Sequence, residues 1–274
     1  VREDGSEPDN TRRQRLLNLV GDIILAKKRD CRIDYVLFPE LSIPRNMLLY
    51  IASLFLRKKI SLITGVDYEI LNPRRARRSP NQIKFVSNQL HYFLTIPGKH
   101  YSQHVNLMQE KIIPAQKEER ELFDVGGAIM RVKNRNKFLI NHGNFWFTGL
   151  ICNDILDINT RAKLRGVVDA LIIVEWNRDI ETYNALVESS ANDLHTFILQ
   201  VNNRLYGDTR LRAPYKESYM RDVVRVRGGD LDYFVVATLE VDELREFQRN
   251  HRSPEKPFKP VPTGFMMSEA RRRK

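Results

Sequence analysis

The sequence predicts an α/β protein, and three observations carry that reading. Short apolar runs of strand length recur at residues 33–38, 60–66, 145–151, 170–174 and 197–201. Segments with helical spacing of apolar residues are interleaved with them, at 11–30, 44–57 and 181–195. The 274 residues are 42% hydrophobic and 29% charged, enough to bury a core. That balance excludes a disordered or collagen-like chain.

Residues 11–30 open the series as a helix. Leu16, Leu17, Val20, Ile23 and Ile24 share one face, and Asp9, Asn10 and Thr11 can cap it. The strand at 33–38 follows, then a helix at 44–57 with Pro44 at its first turn, where proline is tolerated. The strand at 60–66 ends near Gly65. Residues 72–81 are an Arg- and Pro-rich loop, and 84–96 hold one or two strands. Residues 105–123 are polar and read mostly as loop. Weaker strands are expected at 128–132 and 137–141. The run at 145–151 leads straight into Cys152. A short helix at 160–165, the strand at 170–174, the helix at 181–195 and the strand at 197–201 come next. Residues 233–239 close the series as a strand, with a helix at 242–248 behind it. Past His251, Pro254, Pro257, Pro260 and Pro262 predict an extended tail. The organisation expected is a linker-like segment at 1–10, a main domain at 11–250 and a basic Pro/Arg-rich tail at 251–274.

The formal net charge is +11. The last 24 residues carry seven Lys/Arg against two Asp/Glu, and Arg74, Arg75, Arg77 and Arg78 form a second basic cluster. Such charge favours acidic partners, nucleic acid among them, although a solvated tail and loop is the plainer account of it. No aromatic residues interleave the arginines, so a stacking platform for single strands is not indicated. Two cysteines build no disulfide framework, and no Cys/His spacing reads as a zinc site. The expectation is a reducing, cytoplasmic setting and no metal. The longest strongly apolar stretch, Leu48–Leu56, is too short to span a bilayer, so no membrane is expected. The first residue is Val1 and residues 1–10 are polar, which suggests a piece of a longer chain.

Three places put a reactive side chain at the end of an apolar run. Glu40 follows Tyr35-Val36-Leu37-Phe38-Pro39, where partial burial would raise its pKa and suit it to general-base work. Lys111 stands in Gln109-Glu110-Lys111-Ile112-Ile113-Pro114, with Glu118 and Glu119 beyond. Cys152 stands in Gly149-Leu150-Ile151-Cys152-Asn153-Asp154, a strand exit where a thiol can be ringed by backbone N–H groups. Cys31 has no such context and reads as a structural cysteine.

In the order Glu, Lys, Cys these stretches resemble the carbon–nitrogen hydrolase, or nitrilase, superfamily, in its amidase-like branch. Gln200-Val201-Asn202-Asn203-Arg204-Leu205-Tyr206-Gly207 is similar to the family's Asn-Arg-x-Gly strand exit, and residues 239–245 to its closing strand and helix. The resemblance implies a four-layer α-β-β-α sandwich and a homo-oligomer, a dimer or higher. It implies a small amide-type substrate, with no metal or organic cofactor. It casts Cys152 as nucleophile, Glu40 as base and Lys111 as oxyanion stabiliser, with the backbone N–H of Asn153 as second donor. Glu119, eight residues past Lys111, would orient the substrate or hold the lysine. Trp176 and Asn177 would line the pocket. The chain departs from the family where Ile155-Leu156-Asp157-Ile158 replaces an aromatic-Pro-Glu element and where Glu110 precedes the lysine. Free amides, substituted amides, N-carbamoyl groups and nitriles all stay open as substrates, nitriles being least favoured.

A second functional class stands beside the hydrolase. Nitrilase-like domains occur fused to bacterial reverse transcriptases in antiviral defence systems. The basic tail and the linker-like start would suit an accessory or assembly domain of that kind, with nucleic acid as partner.

Overall fold

The computed structural model describes residues 9–29, 31–72, 83–96, 98, 103–250 and 257–272. Two compact units divide the chain after Asn136, and Leu231–Phe234 belongs with the first.

The first unit runs α1 (Asp9–Lys28), β1 (Tyr35–Ile43), α2 (Leu48–Leu56), β2 (Ser61–Ile70), β3 (Lys84–Ile96), β4 (Gln103–Glu110), α3 (Gln116–Asp124) and β5 (Ala128–Met130). The sheet order is β1-β2-β3-β4, and β5 pairs with the start of β3. β1 and β2 are parallel, while β3 is antiparallel to both β2 and β4. Leu16, Val20 and Ile23 of α1 and Leu48, Ile51 and Phe55 of α2 share one core with Val36, Phe38, Leu62, Val66 and Phe93. The helical spacing read from the sequence is therefore the spacing that packs.

Residues 105–123, expected as loop, hold most of β4 and all but the last residue of α3. Polarity hid both. β4 ends the sheet path and exposes most of its side chains, so no alternation marks it, and α3 buries only Leu122. The arginine cluster at 74–78 lies outside the described residues.

The second unit holds β6 (Ile140–His142), β7 (Phe145–Ile151), α4 (Ile158–Leu164), β8 (Ala170–Val174), α5 (Ile180–Leu194), β9 (Phe197–Val201), β10 (Gly207–Arg212), β11 (Asp222–Arg227), α6 (Val241–Asn250) and α7 (Glu269–Arg272). Its sheet runs β11-β10-β9-β8-β7-β6. β7, β8 and β9 are parallel, with antiparallel pairs on either side. Every residue of β8 is buried, as a central parallel strand requires. The sequence reading missed β10 and β11, whose arginines break the apolar pattern. Residues 233–239 are no strand: they make no ladder with either sheet, and Val235 and Val236 are half exposed. No helix among the described residues is long and apolar enough to cross a membrane.

Residues 257–272 correct the expectation of a solvated tail. Phe258 is fully buried against Tyr215, and Phe265 meets the edge of His195. Arg271 is fully buried and donates to Asp169 Oδ1 (Nη2, 2.6 Å) and to the Gly166 carbonyl (2.9 Å). Asp169 also accepts from Arg245 Nε (2.8 Å) and from the Trp146 N–H (2.8 Å). One buried carboxylate thus fastens α6 and α7 to the start of β8. Arg271→Ala leaves Asp169 paired with Arg245 but strips several bonds to buried acceptors. The expected cost is about 2 kcal/mol, read as a lowered Tm in thermal denaturation. An unchanged Tm would mean the segment docks without this arginine.

Candidate active site

Glu40 sits on a distortion of β1. The strand runs past Phe38, but its register with β2 slips between Phe38 and Ile43, and Pro39, Glu40 and Leu41 occupy the slip. Leu41 has φ of 52°, a left-handed conformation costly for a leucine. Its neighbours hold it there. Arg12 Nη2 donates to the carbonyls of Leu41 and Ser42 (both 2.8 Å) while the guanidinium pairs with Asp67. Ser42 Oγ donates to the Pro39 carbonyl (2.7 Å). From β2, Gly65 comes so close that a Cβ there would lie 2.4 Å from the Glu40 Cα.

Glu40 is 2% exposed and meets a buried lysine. Lys111, just past β4, donates from Nζ to Glu40 Oε1 (2.9 Å) and to Glu118 Oε2 (2.6 Å). Glu118 Oε1 accepts from Tyr68 Oη (2.7 Å), and Oε2 accepts from the Ala115 N–H (3.1 Å). The contact expected of Glu119 is therefore made by Glu118. Glu118 is the third residue of α3 and folds back over the helix start, as in half a capping box. Glu119, one residue on, is exposed.

The two carboxylates are pushed apart electrostatically. Burial raises the Glu40 pKa above the ordinary carboxylate range, and Lys111 offsets this only in part. Burial acts on Glu118 too, but Lys111, Tyr68 and the Ala115 N–H outweigh it and hold its pKa below that range. Glu118 is thus the fixed anion that anchors the lysine. Glu40 is the carboxylate that can gain and lose a proton, a division of roles that acid–base chemistry uses.

In the second unit, Cys152 leaves β7 with φ of 43°, a strained conformation for a side-chain-bearing residue at a strand exit. The thiol is buried, with Sγ 3.5 Å from Tyr183 Oη on α5. Asn153 and Asp154 continue as a 3-10 turn, Cys152–Leu156, and Asp154 is ion-paired with Lys137. Trp176 and Asn177 follow β8, both half-buried. The Asn177 side chain donates to the Asp179 carbonyl (3.2 Å) and accepts from the Asp179 N–H (3.0 Å), so it shapes the turn into α5.

Asn88, Tyr68, Glu118 and Tyr183 were not singled out from the sequence as site residues. For Asn88 a trace was present: Ser87, Asn88 and Gln89 are three polar residues in the middle of a strand, and all are buried. Among the described residues, no group of three or more His, Cys, Asp and Glu side chains is placed to hold a metal ion.

No family model matches the chain, and no curated protein matches its sequence. Solved structures match its fold. XC1258 from Xanthomonas campestris, a CN-hydrolase superfamily protein with an arsenic adduct in its active site, aligns over 88% of each chain at 14% identity and a TM-score of 0.61. Nit3 from Saccharomyces cerevisiae, of branch 10 of the nitrilase superfamily, aligns over 77% of this chain and 79% of its own, at 14% identity and a TM-score of 0.57. An amidase from Nesterenkonia sp. aligns over 74% and 77%, at 11% identity and 0.51. At these identities the likeness is one of fold: a mixed α/β chain with two sheets and flanking helices, as in nitrilase-superfamily structures.

Proposed function

We propose that the chain is a carbon–nitrogen hydrolase acting on an amide-type substrate through a thioester on Cys152. The observation that carries this is the buried lysine held between two carboxylates of opposite pKa tendency, a costly arrangement that packing alone does not require. The strained cysteine at the end of β7 supplies the nucleophile, and the fold likeness to amidases supports the pairing.

In this reading the Cys152 sulfur attacks the substrate carbonyl carbon and its proton passes to Glu40. Lys111 and the Asn153 N–H stabilise the oxyanion. Glu40 hands the proton to the leaving nitrogen, and ammonia or an amine departs as the C–N bond breaks. Glu40 then takes a proton from water, which attacks the thioester. The acid leaves and the thiol is restored. Glu118 replaces Glu119 as the residue that holds Lys111, and Trp176 is kept as a substrate-facing residue. A mutant of the Nesterenkonia amidase carries the acetamide moiety of fluoroacetamide on its active-site cysteine. Small linear amides are the class proposed here too, for a homo-oligomeric enzyme. No observation favours the reverse-transcriptase-associated reading: of the basic residues past His251, Arg271 is spent on Asp169.

The test is alkylation by iodoacetamide at neutral pH, resolved by site with mass spectrometry, alongside turnover of small amides. Cys152 is expected to label at least about tenfold faster than Cys31. Glu40→Gln is expected to slow that labelling and to remove turnover. A Cys152 that stays inert in the folded protein, or one indifferent to Glu40→Gln, would overturn the proposal.

A further inference from the structure

The cluster in the first unit has a fourth member. Asn88 lies in the middle of β3 and is 1% exposed. Its Nδ2 donates to Glu40 Oε1 (2.7 Å) and to Glu118 Oε1 (3.1 Å). Its backbone carbonyl accepts from the Lys111 N–H (2.9 Å). The amide and the lysine ammonium therefore bridge the same two carboxylates, and the four side chains close a ring: Glu40, Asn88, Glu118, Lys111.

We propose that Asn88 is a positioning residue for this cluster: its one amide group fixes the rotation of both carboxylates and so sets how each meets Lys111. The inference rests on the catalytic reading given above for Glu40 and Lys111. The direction of the amide follows from what it faces. Turned over, it would set its oxygen against two carboxylates and lose both bonds. Its Oδ1 has no hydrogen-bond partner among the described residues, so nothing else there dictates the orientation.

A buried asparagine whose task was only to fill the strand would be replaceable by an apolar residue. This one donates one hydrogen to Glu40, the carboxylate that gains and loses a proton, and the other to Glu118, the fixed anion. Donation to a carboxylate favours its ionised form, so Asn88 works with Lys111 against the burial of Glu40. The charged and titratable groups of the cluster come from four other places: Glu40 on β1, Tyr68 on β2, Lys111 after β4 and Glu118 on α3. Asn88 and Lys111 each reach both acids through a single nitrogen.

The experiment compares the full chain with Asn88→Ala and Asn88→Ser, using carboxyl-labelled glutamate followed by ¹³C NMR across pH. The pH dependence of kcat/KM for butyramide is measured beside it. Asn88→Ala is expected to raise the Glu40 titration midpoint by about one pH unit. It is expected to lower kcat/KM about tenfold to a hundredfold through kcat, and to move the acid limb of the profile upward with the midpoint. Asn88→Ser keeps one donor and is expected to fall between. Wild-type midpoints and an unmoved acid limb in Asn88→Ala overturn the inference. If Asn88→Ala fails to fold, Asn88→Ser decides, and wild-type midpoints there overturn it. Shifted midpoints in a protein that turns over no amide would leave the positioning role standing and sink the hydrolase reading instead.

Discussion

Lys111→Met is expected to abolish amide turnover, to cost about 3–5 kcal/mol of stability at pH 7 and to recover part of that stability at pH 5. The lysine is 2% exposed and pairs with Glu40, equally buried, and with Glu118. Methionine fills similar space and carries no charge. It leaves two carboxylates in one desolvated cluster, where they repel each other and burial penalises both. One of them then keeps a proton at neutral pH, so its folded pKa lies above its unfolded value. Between those two values the folded state binds more protons than the unfolded one, and stability falls as pH rises through that window. Glu118 in the wild type has the opposite sign. Its folded pKa is depressed, so its contribution is present above the ordinary carboxylate range and is lost as pH falls through the lowered value. The Tm gap between variant and wild type should therefore shrink on going from pH 7 to pH 5. A gap that stays constant or widens would mean the lysine is not what keeps both acids charged.

The parts of the fold legible in the sequence are those buried on both sides. β7, β8 and β9 begin and end where their apolar runs do, since a parallel central strand has no solvent face to interrupt the run. β4 and β11 were invisible because they end their sheet paths and carry polar or arginine side chains, and β10, one strand in and largely buried, because Asp208, Arg210 and Arg212 break its apolar pattern. Residues 233–239 mislead in the other sense. Tyr233-Phe234-Val235-Val236 has strand composition, yet only Phe234 packs against the first unit's core. Composition shows that a segment suits a pleated surface, not that an edge is open to receive it. The site divides along similar lines. Glu40 follows the apolar run 33–38 and Cys152 follows the run 145–151, which the sequence locates, whereas Lys111 follows β4, which no apolar run marks, and was legible only through the resemblance of its own segment. Choosing Glu118 over Glu119 needs the helix start, because one residue turns a side chain by about 100° about the axis. Asn88 needs the tertiary fold, since its two acceptors lie 48 and 30 residues away.

Gly65→Ala is expected to cost at least about a hundredfold in turnover while touching none of the reacting groups. Built on the present backbone, the new Cβ would lie 2.4 Å from Glu40 Cα, 2.6 Å from the Pro39 oxygen and 2.7 Å from the Leu41 nitrogen. All three are main-chain atoms, so no side chain can swing aside. Either β2 recedes or the Pro39–Leu41 distortion does. The second holds the positive-φ Leu41, the carbonyls clamped by Arg12 and the Cα of Glu40 itself. A displacement of about 1 Å is enough to take Glu40 Oε1 out of reach of Lys111 or Asn88, and misplacement on that scale costs about two orders of magnitude in rate. Gly21→Ala is the matched control. It lies in α1, exposed, with nothing within 4 Å of the added carbon, so alanine's helix preference should stabilise it by about 0.5–1 kcal/mol. Steady-state kinetics and thermal denaturation on both variants separate the effects. Activity lost in Gly65→Ala and kept in Gly21→Ala places the close approach of β2 in command of Glu40. Near-normal turnover in Gly65→Ala would show that the base tolerates a shifted strand, and that its position is set instead by Lys111 and Asn88.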